Sequence, residues 1–137
     1  MKIVLISCVG KKKNRKCEAK ELYDSTWFRL AFRYACSLQP DKIFILSAKF
    51  GLVDQHALID PYNDTLRTKS DQDIQAWSDR VLKALEKQAN LAKDMFIILA
   101  GENYRRHLAG RLVNSRVPMK GLRIGEQLKW LKSQIPA

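Results

Sequence analysis

Three short apolar runs constrain this chain most: Ile3-Val4-Leu5-Ile6, Ile43-Phe44-Ile45-Leu46 and Met95-Phe96-Ile97-Ile98-Leu99-Ala100. Runs of this length, rich in β-branched and aromatic residues, read as strands buried on both faces. Each empties into polar chain carrying a glycine: Ser7 to Lys16, Ser47 to Leu66, and Gly101 to His107. Between them lie segments of helical period. Phe28, Ala31, Ala35 and Leu38, widened by Trp27, Leu30 and Tyr34, predict a helix over Glu18 to Leu38, ended by Pro40. Ser70 is placed to cap a second helix, with Asp71 and Asp73 in its first turn and Ile74, Trp77, Val81, Leu85 and Ala89 on its stripe to about Ala92. A third helix is expected after Gly101, with Tyr104, Leu108 and Leu112 inward. A short edge strand is expected at Val117, and a last helix over Arg123 to Gln134.

Strand, loop and helix repeated three times predict an α/β domain: a three-layer α/β/α arrangement around a small, mostly parallel sheet of three to four strands. The 137 residues suit one domain, 1–137, with one core. No apolar run approaches the roughly 18 residues of a membrane span. The opening strand is too short for a signal peptide, so a cytoplasmic protein with no membrane partner is expected. Cys8, Cys17 and Cys36 are odd in number and match no zinc spacing, so reduced thiols, no metal and no cofactor are expected.

The net charge of +11 is concentrated. Residues 10–20 carry six Lys or Arg against one acid, and residues 101–137 carry eight against two; residues 21–100 are close to neutral. If the two basic regions meet in space they form a face suited to a polyanion, and a nucleic-acid partner is favoured over scattered surface charge. Lys11, Lys12, Lys13, Arg15 and Lys16, with Arg105 and Arg106, are the candidate phosphate contacts. The nucleotide-binding Gly-x-x-x-x-Gly-Lys spacing is absent, so this loop does not read as an ATP site.

In a parallel sheet the polar loops gather at the carboxyl edge, where α/β folds bind ligands. The central loop alone holds Ser47, Lys49, Asp54, His56, Asp60, Tyr62, Asn63 and Asp64. Asp54, Asp64 and Glu102 are the candidate catalytic carboxylates, able to position water or stabilise the cation formed as a glycosidic bond breaks. Ser7, Ser47, Lys49, Tyr62, Asn63, Asn103 and Tyr104 are the candidate substrate-binding residues. Tyr62, Phe50 or His56 is suited to stack on an extruded base.

Ser47-Ala48-Lys49-Phe50-Gly51-Leu52-Val53, followed by Ile59-Asp60-Pro61-Tyr62 and Thr65-Leu66, resembles the YaaA-like superfamily, in particular its small single-domain branch from bacteria and phages. Ala19 to Tyr23, Ile98 to Tyr104 and Ile124 to Leu128 add weaker likenesses, so the resemblance touches most of the chain. Members often place Asp directly after the motif tyrosine, whereas here Asn63 follows Tyr62 and Asp64 comes one later. The resemblance implies a protein that faces nucleic acid, with a link to stress and to modified nucleobases. Together these features predict a DNA glycosylase-type enzyme acting on a modified base. The alternatives are a non-catalytic DNA-binding protein that shields DNA under stress, and an enzyme that processes the base of a nucleoside or nucleotide.

Overall fold

Valine, isoleucine, leucine and phenylalanine side chains alternate across a strand, so a strand with no polar face needs cover on both sides. That condition is met by β1 (Lys2–Ser7), β3 (Lys42–Ser47) and β6 (Met95–Leu99), each buried from its second residue to its last. The computed structural model describes residues 1–8 and 11–135, so Val9 and Gly10 of the first basic loop lie outside the described residues. The three strands pair in parallel, with Val4 beside Ile43 and Ile97. Two further strands complete a five-stranded sheet, one more than the sequence predicts. β4 (Gly51–Asp54) lies antiparallel beside β3, and β7 (Ser115–Arg116) lies parallel to β6, giving the order β4-β3-β1-β6-β7.

The chain steps from β1 outward to β3, then crosses back over β1 to reach β6. Right-handed crossovers in opposite directions put their helices on opposite faces. The connection of the first step is α2 (Thr26–Ser37), which packs against α5 (Ile124–Gln134). The second connection is α3 (Asp71–Glu86), which packs against α4 (Glu102–Arg105). Trp27 Nε1 donates to Gln127 Oε1 (2.9 Å) and the Tyr34 and Trp130 rings meet edge to face, so α2 and α5 are joined by both a polar and an aromatic contact. The α/β class and the helix-covered, mostly parallel sheet are those predicted.

Several boundaries differ, each for a local reason. The single helix expected over Glu18 to Leu38 is broken. Cys17–Glu18 form β2, paired antiparallel with β5 (Leu58–Ile59); α1 (Ala19–Leu22) follows, and α2 starts only at Thr26. The break is held by the basic loop: Asp24 N–H donates to Lys11 O (2.6 Å), Lys13 N–H to Leu22 O (2.8 Å), and Ser25 Oγ caps α2 by accepting from Phe28 N–H (3.1 Å). The α3 helix stops at Glu86 rather than near Ala92: Lys87 and Gln88 N–H close its last turn on the Ala84 and Leu85 carbonyls, and beyond it Asn90 Oδ1 accepts from Ala92 and Lys93 N–H, a side-chain turn that does not extend the helix. The expected edge strand sits at Ser115–Arg116, two residues ahead of Val117.

Candidate functional site

The first two steps of the topology run in opposite directions from β1, so the loops after β1 and β6 leave toward opposite faces and a crevice opens between them. Ser7 and Cys8 stand on one side of it, and the turn into α4 stands on the other. Cys8 Sγ bridges them, 3.3 Å from the Tyr104 hydroxyl. Tyr104 packs edge to face on Trp77, whose Nε1 donates to the Ser47 carbonyl at the end of β3 (2.8 Å). One buried indole thus ties α3, α4 and the carboxyl end of β3 together.

Tyr62 is the hub of the site. Ser47 Oγ donates to its hydroxyl (2.8 Å) and accepts from Phe50 N–H (3.0 Å); the Tyr23 and Tyr62 hydroxyls are 2.7 Å apart. Phe50 meets the Tyr62 ring at 86°, and the Lys12 ammonium lies 4.4 Å from the same ring's centroid and 5.7 Å from that of Tyr23. A cation held over two phenol rings is an electrostatic contact as well as a packing one. Burial pushes the Tyr23, Tyr62 and Tyr104 phenols above their ordinary range; the Cys8 thiol adds to this for Tyr62 and Tyr104, while hydrogen bonds oppose it in part. All three are therefore neutral hydrogen-bonding groups at neutral pH, suited to orienting a polar ligand and unsuited to acting as phenolate bases.

Beside this cluster, under the β3–β4 turn, lies an open cleft of about 420 Å³ lined by Ala48, Lys49, Asp64, Lys69, Trp77 and Arg80, among others. Asp64 accepts from Thr65 N–H (2.9 Å) and pairs with Lys69 (3.3 Å). A second open, basic hollow of about 400 Å³ is formed by Lys11, Lys12, Lys13, Asn14 and Arg15 with Asp24. Among the described residues, Lys11, Lys12, Lys13, Arg15, Lys16 and Lys49 form no ion pair with a carboxylate.

The structure thus brings Ser47, Tyr62, Tyr104 and Lys12 together and sets Lys49 next to Phe50. It does not bring the three carboxylates together. Asp54 is exposed at the far end of β4, paired across from Phe44 and accepting from His56 N–H (2.8 Å), well down the sheet from the crevice. Glu102 is solvent-exposed and pairs loosely with Arg106 (3.9 Å). Asp64 alone of the three lines the cleft. Arg106 and His107 are both engaged by Asp71 (each 2.9 Å), and their hydrogen bonds hold the Asp71 carboxyl below the usual range; this network pins α4 to the start of α3. Asn103 Oδ1 accepts from Arg106 (3.0 Å), Asn63 is exposed, and His56 pairs with Glu18 (3.0 Å) on the β2–β5 ribbon. Arg105 is half-buried, and its Nε has no partner among the described residues; the same holds for the fully buried Ser7 Oγ.

Sequence reasoning missed Cys8, Tyr23 and the polar role of Trp77. Tyr23 closed the Ala19–Tyr23 likeness but carried no role, and Trp77 was visible only as part of a helical stripe. Among the described residues no three His, Cys, Asp or Glu side chains gather as a metal would require, and no helix is long and apolar enough to cross a membrane.

Fold and site together define a small doubly wound α/β domain with a phenol-lined crevice and a basic rim at its carboxyl edge. The chain belongs to a family of unknown function (DUF6884), whose sequence profile matches residues 3–133. No curated protein matches the chain.

Proposed function

We propose that this protein binds nucleic acid across the carboxyl edge of its sheet and processes a nucleobase there, the best-suited reaction being cleavage of the N-glycosidic bond of a modified deoxynucleotide. The observation that carries this reading is the seating of Lys12 over the Tyr62 ring, which joins the basic loop to the phenol cluster. Cations without a carboxylate partner among the described residues suit phosphates, whose neutralisation releases counterions and drives association. Neutral hydroxyls beside them suit the polar edge of a base. Of the three candidate carboxylates, Asp64 is the one that lines the cleft, together with Asp73. As the C1′–N bond breaks, the electron pair leaves with the base, which takes up a proton. Asp64 stabilises the cationic sugar and accepts a proton from the water that adds to C1′. The YaaA-like resemblance agrees with a nucleic-acid-facing role.

The direct test incubates the protein with plain and base-modified duplex and single-stranded DNA and measures abasic sites. Cleavage of a modified strand, lost in Asp64→Asn with binding kept, is the expected result. Tight, salt-dependent binding with no abasic sites on any substrate removes the enzyme and leaves a DNA-shielding protein, a reading favoured by the exposure of Asp54 and Glu102 and the pairing of Asp64 with Lys69.

A further inference from the structure

We infer that Phe50, rather than Tyr62, is the side chain on which a nucleobase stacks, and that Tyr62 is the support that holds Phe50 in place. The inference rests on the nucleic-acid reading above and names the part of the ligand that this site takes. Among the described Phe, Tyr and Trp residues, Phe50 is the one exposed side chain, at 43%; the other large exposed apolar side chains, Met1, Leu58, Val113 and Ile124, are aliphatic. Tyr62 has no comparable free face. Lys12 sits over its ring, Phe50 and Tyr23 meet it at 86° and 78°, and its hydroxyl is shared between Ser47 and Tyr23.

Phe50 is exposed without being loose. It stands on the tight turn between β3 and β4, where Ser47 pairs with Gly51. The turn needs a left-handed residue, and Gly51 supplies it at φ +74°. The Phe50 N–H is fixed by Ser47 Oγ, and the Ser47 carbonyl is fixed in turn by Trp77. A rigid aromatic with two rotatable side-chain bonds loses little freedom on stacking, which is why such residues serve as platforms for single-stranded bases. Two cations stand near it. Lys49 Nζ lies 5.3 Å from the Phe50 ring centroid, and Lys12 lies over the adjoining Tyr62 ring. A base on Phe50 would have its two neighbouring phosphates within the reach of long lysines that form no ion pair among the described residues. His56, the remaining stacking candidate, is engaged by Glu18 on the β2–β5 ribbon.

The test compares two labelled oligomers of equal length, a thymidine single strand and a strand of abasic residues with the same phosphates. Wild type is expected to bind the base-bearing strand more tightly. Phe50→Ala is expected to lose about 5- to 150-fold toward that strand and to keep its affinity for the abasic one. Phe50→Trp is expected to retain the preference, with its new indole emission quenched by the thymidine strand and unchanged by the abasic one. If wild type binds neither strand, the nucleic-acid reading falls and stacking falls with it. If wild type binds both, Phe50→Ala binds both equally well, and the Phe50→Trp emission does not move, the stacking assignment alone is overturned.

Discussion

The two ends of the sheet carry similar residues and use them in opposite ways. At the amino edge three charged side chains are tied to the backbone: Lys2 Nζ donates to the Leu38 carbonyl (2.9 Å), Lys42 Nζ donates to the Gln88 carbonyl (3.2 Å), and Asp41 accepts from Lys2 N–H (2.7 Å). At the carboxyl edge the polar side chains bond to one another, through Ser47, Tyr62 and Tyr23, while among the described residues the lysines of the basic loop and Lys49 have no carboxylate partner. Charge that satisfies backbone carbonyls holds elements together. Charge left unpaired beside a cluster of neutral hydroxyls does little for stability and remains available to a ligand.

The largest expected effect follows from that contrast. Replacing Lys11, Lys12, Lys13, Arg15 and Lys16 with Gln should weaken oligonucleotide binding by on the order of a hundredfold or more, and should flatten the plot of log affinity against log salt by about 0.9 for each phosphate contact removed. The melting temperature should hardly change. Lys2→Met at the other end should do the reverse, costing about 1–2 kcal/mol of stability through the orphaned Leu38 carbonyl and leaving the salt slope alone. Equal effects of both sets on binding would mean that the two ends are not functionally distinct.

The phenol cluster provides the next effect. Tyr62→Phe keeps the ring beneath Lys12 and against Phe50 but removes the shared hydroxyl, leaving Ser47 Oγ and Tyr23 OH short of a partner. A loss of about 1–3 kcal/mol in chemical denaturation is expected, with a melting temperature lower by several degrees. A neutral outcome would show that water replaces the hydroxyl and that the cluster is more open than its hydrogen bonds indicate.

The same cluster sets how the protein responds to alkali. Burial raises Tyr23, Tyr62 and Tyr104, and to a lesser degree Tyr34, above the ordinary phenol range. A group whose folded pKa is raised contributes stability that is fully present below its unfolded value, about pH 10, and is lost as pH rises beyond it, because the unfolded chain ionises first. Phenolate absorbance is therefore expected to appear together with unfolding. Reversible ionisation of two or more tyrosines in a chain still folded by circular dichroism would contradict it.

Much of this was written in local pattern. The three buried strands declared themselves as short β-branched runs, and Ser70 marked the start of α3 as its side chain implied. The site was legible only in part, because its contacts join residues that periodicity does not connect. Tyr23 meets Tyr62 across 39 positions and Cys8 meets Tyr104 across 96, through single hydroxyls and a thiol that leave no repeat in the sequence. The two-residue pairing of β2 with β5 is too short to show as alternation. Gly51 misled most, since a polar stretch after a buried strand reads as one loop at the carboxyl edge. Its positive φ turns the chain back beside β3 instead, and this carries Asp54 away from the crevice while leaving Phe50 at the tip.

Asp54 therefore supplies the smallest expected effect and a sharp test of the contrast between regions. Asp54→Asn keeps an oxygen for the His56 N–H and removes only an exposed charge. Stability should stay within about 0.5 kcal/mol of wild type, as for most surface changes, and binding and any base release should be unaltered. The paired variant Asp64→Asn differs by the same single group, inside the cleft. A loss of base release in Asp54→Asn with Asp64→Asn active would move the proposed chemistry from the cleft under the β3–β4 turn to the β2–β5 ribbon, where His56 and Glu18 stand, and the division between the two ends of the sheet would have to be drawn elsewhere.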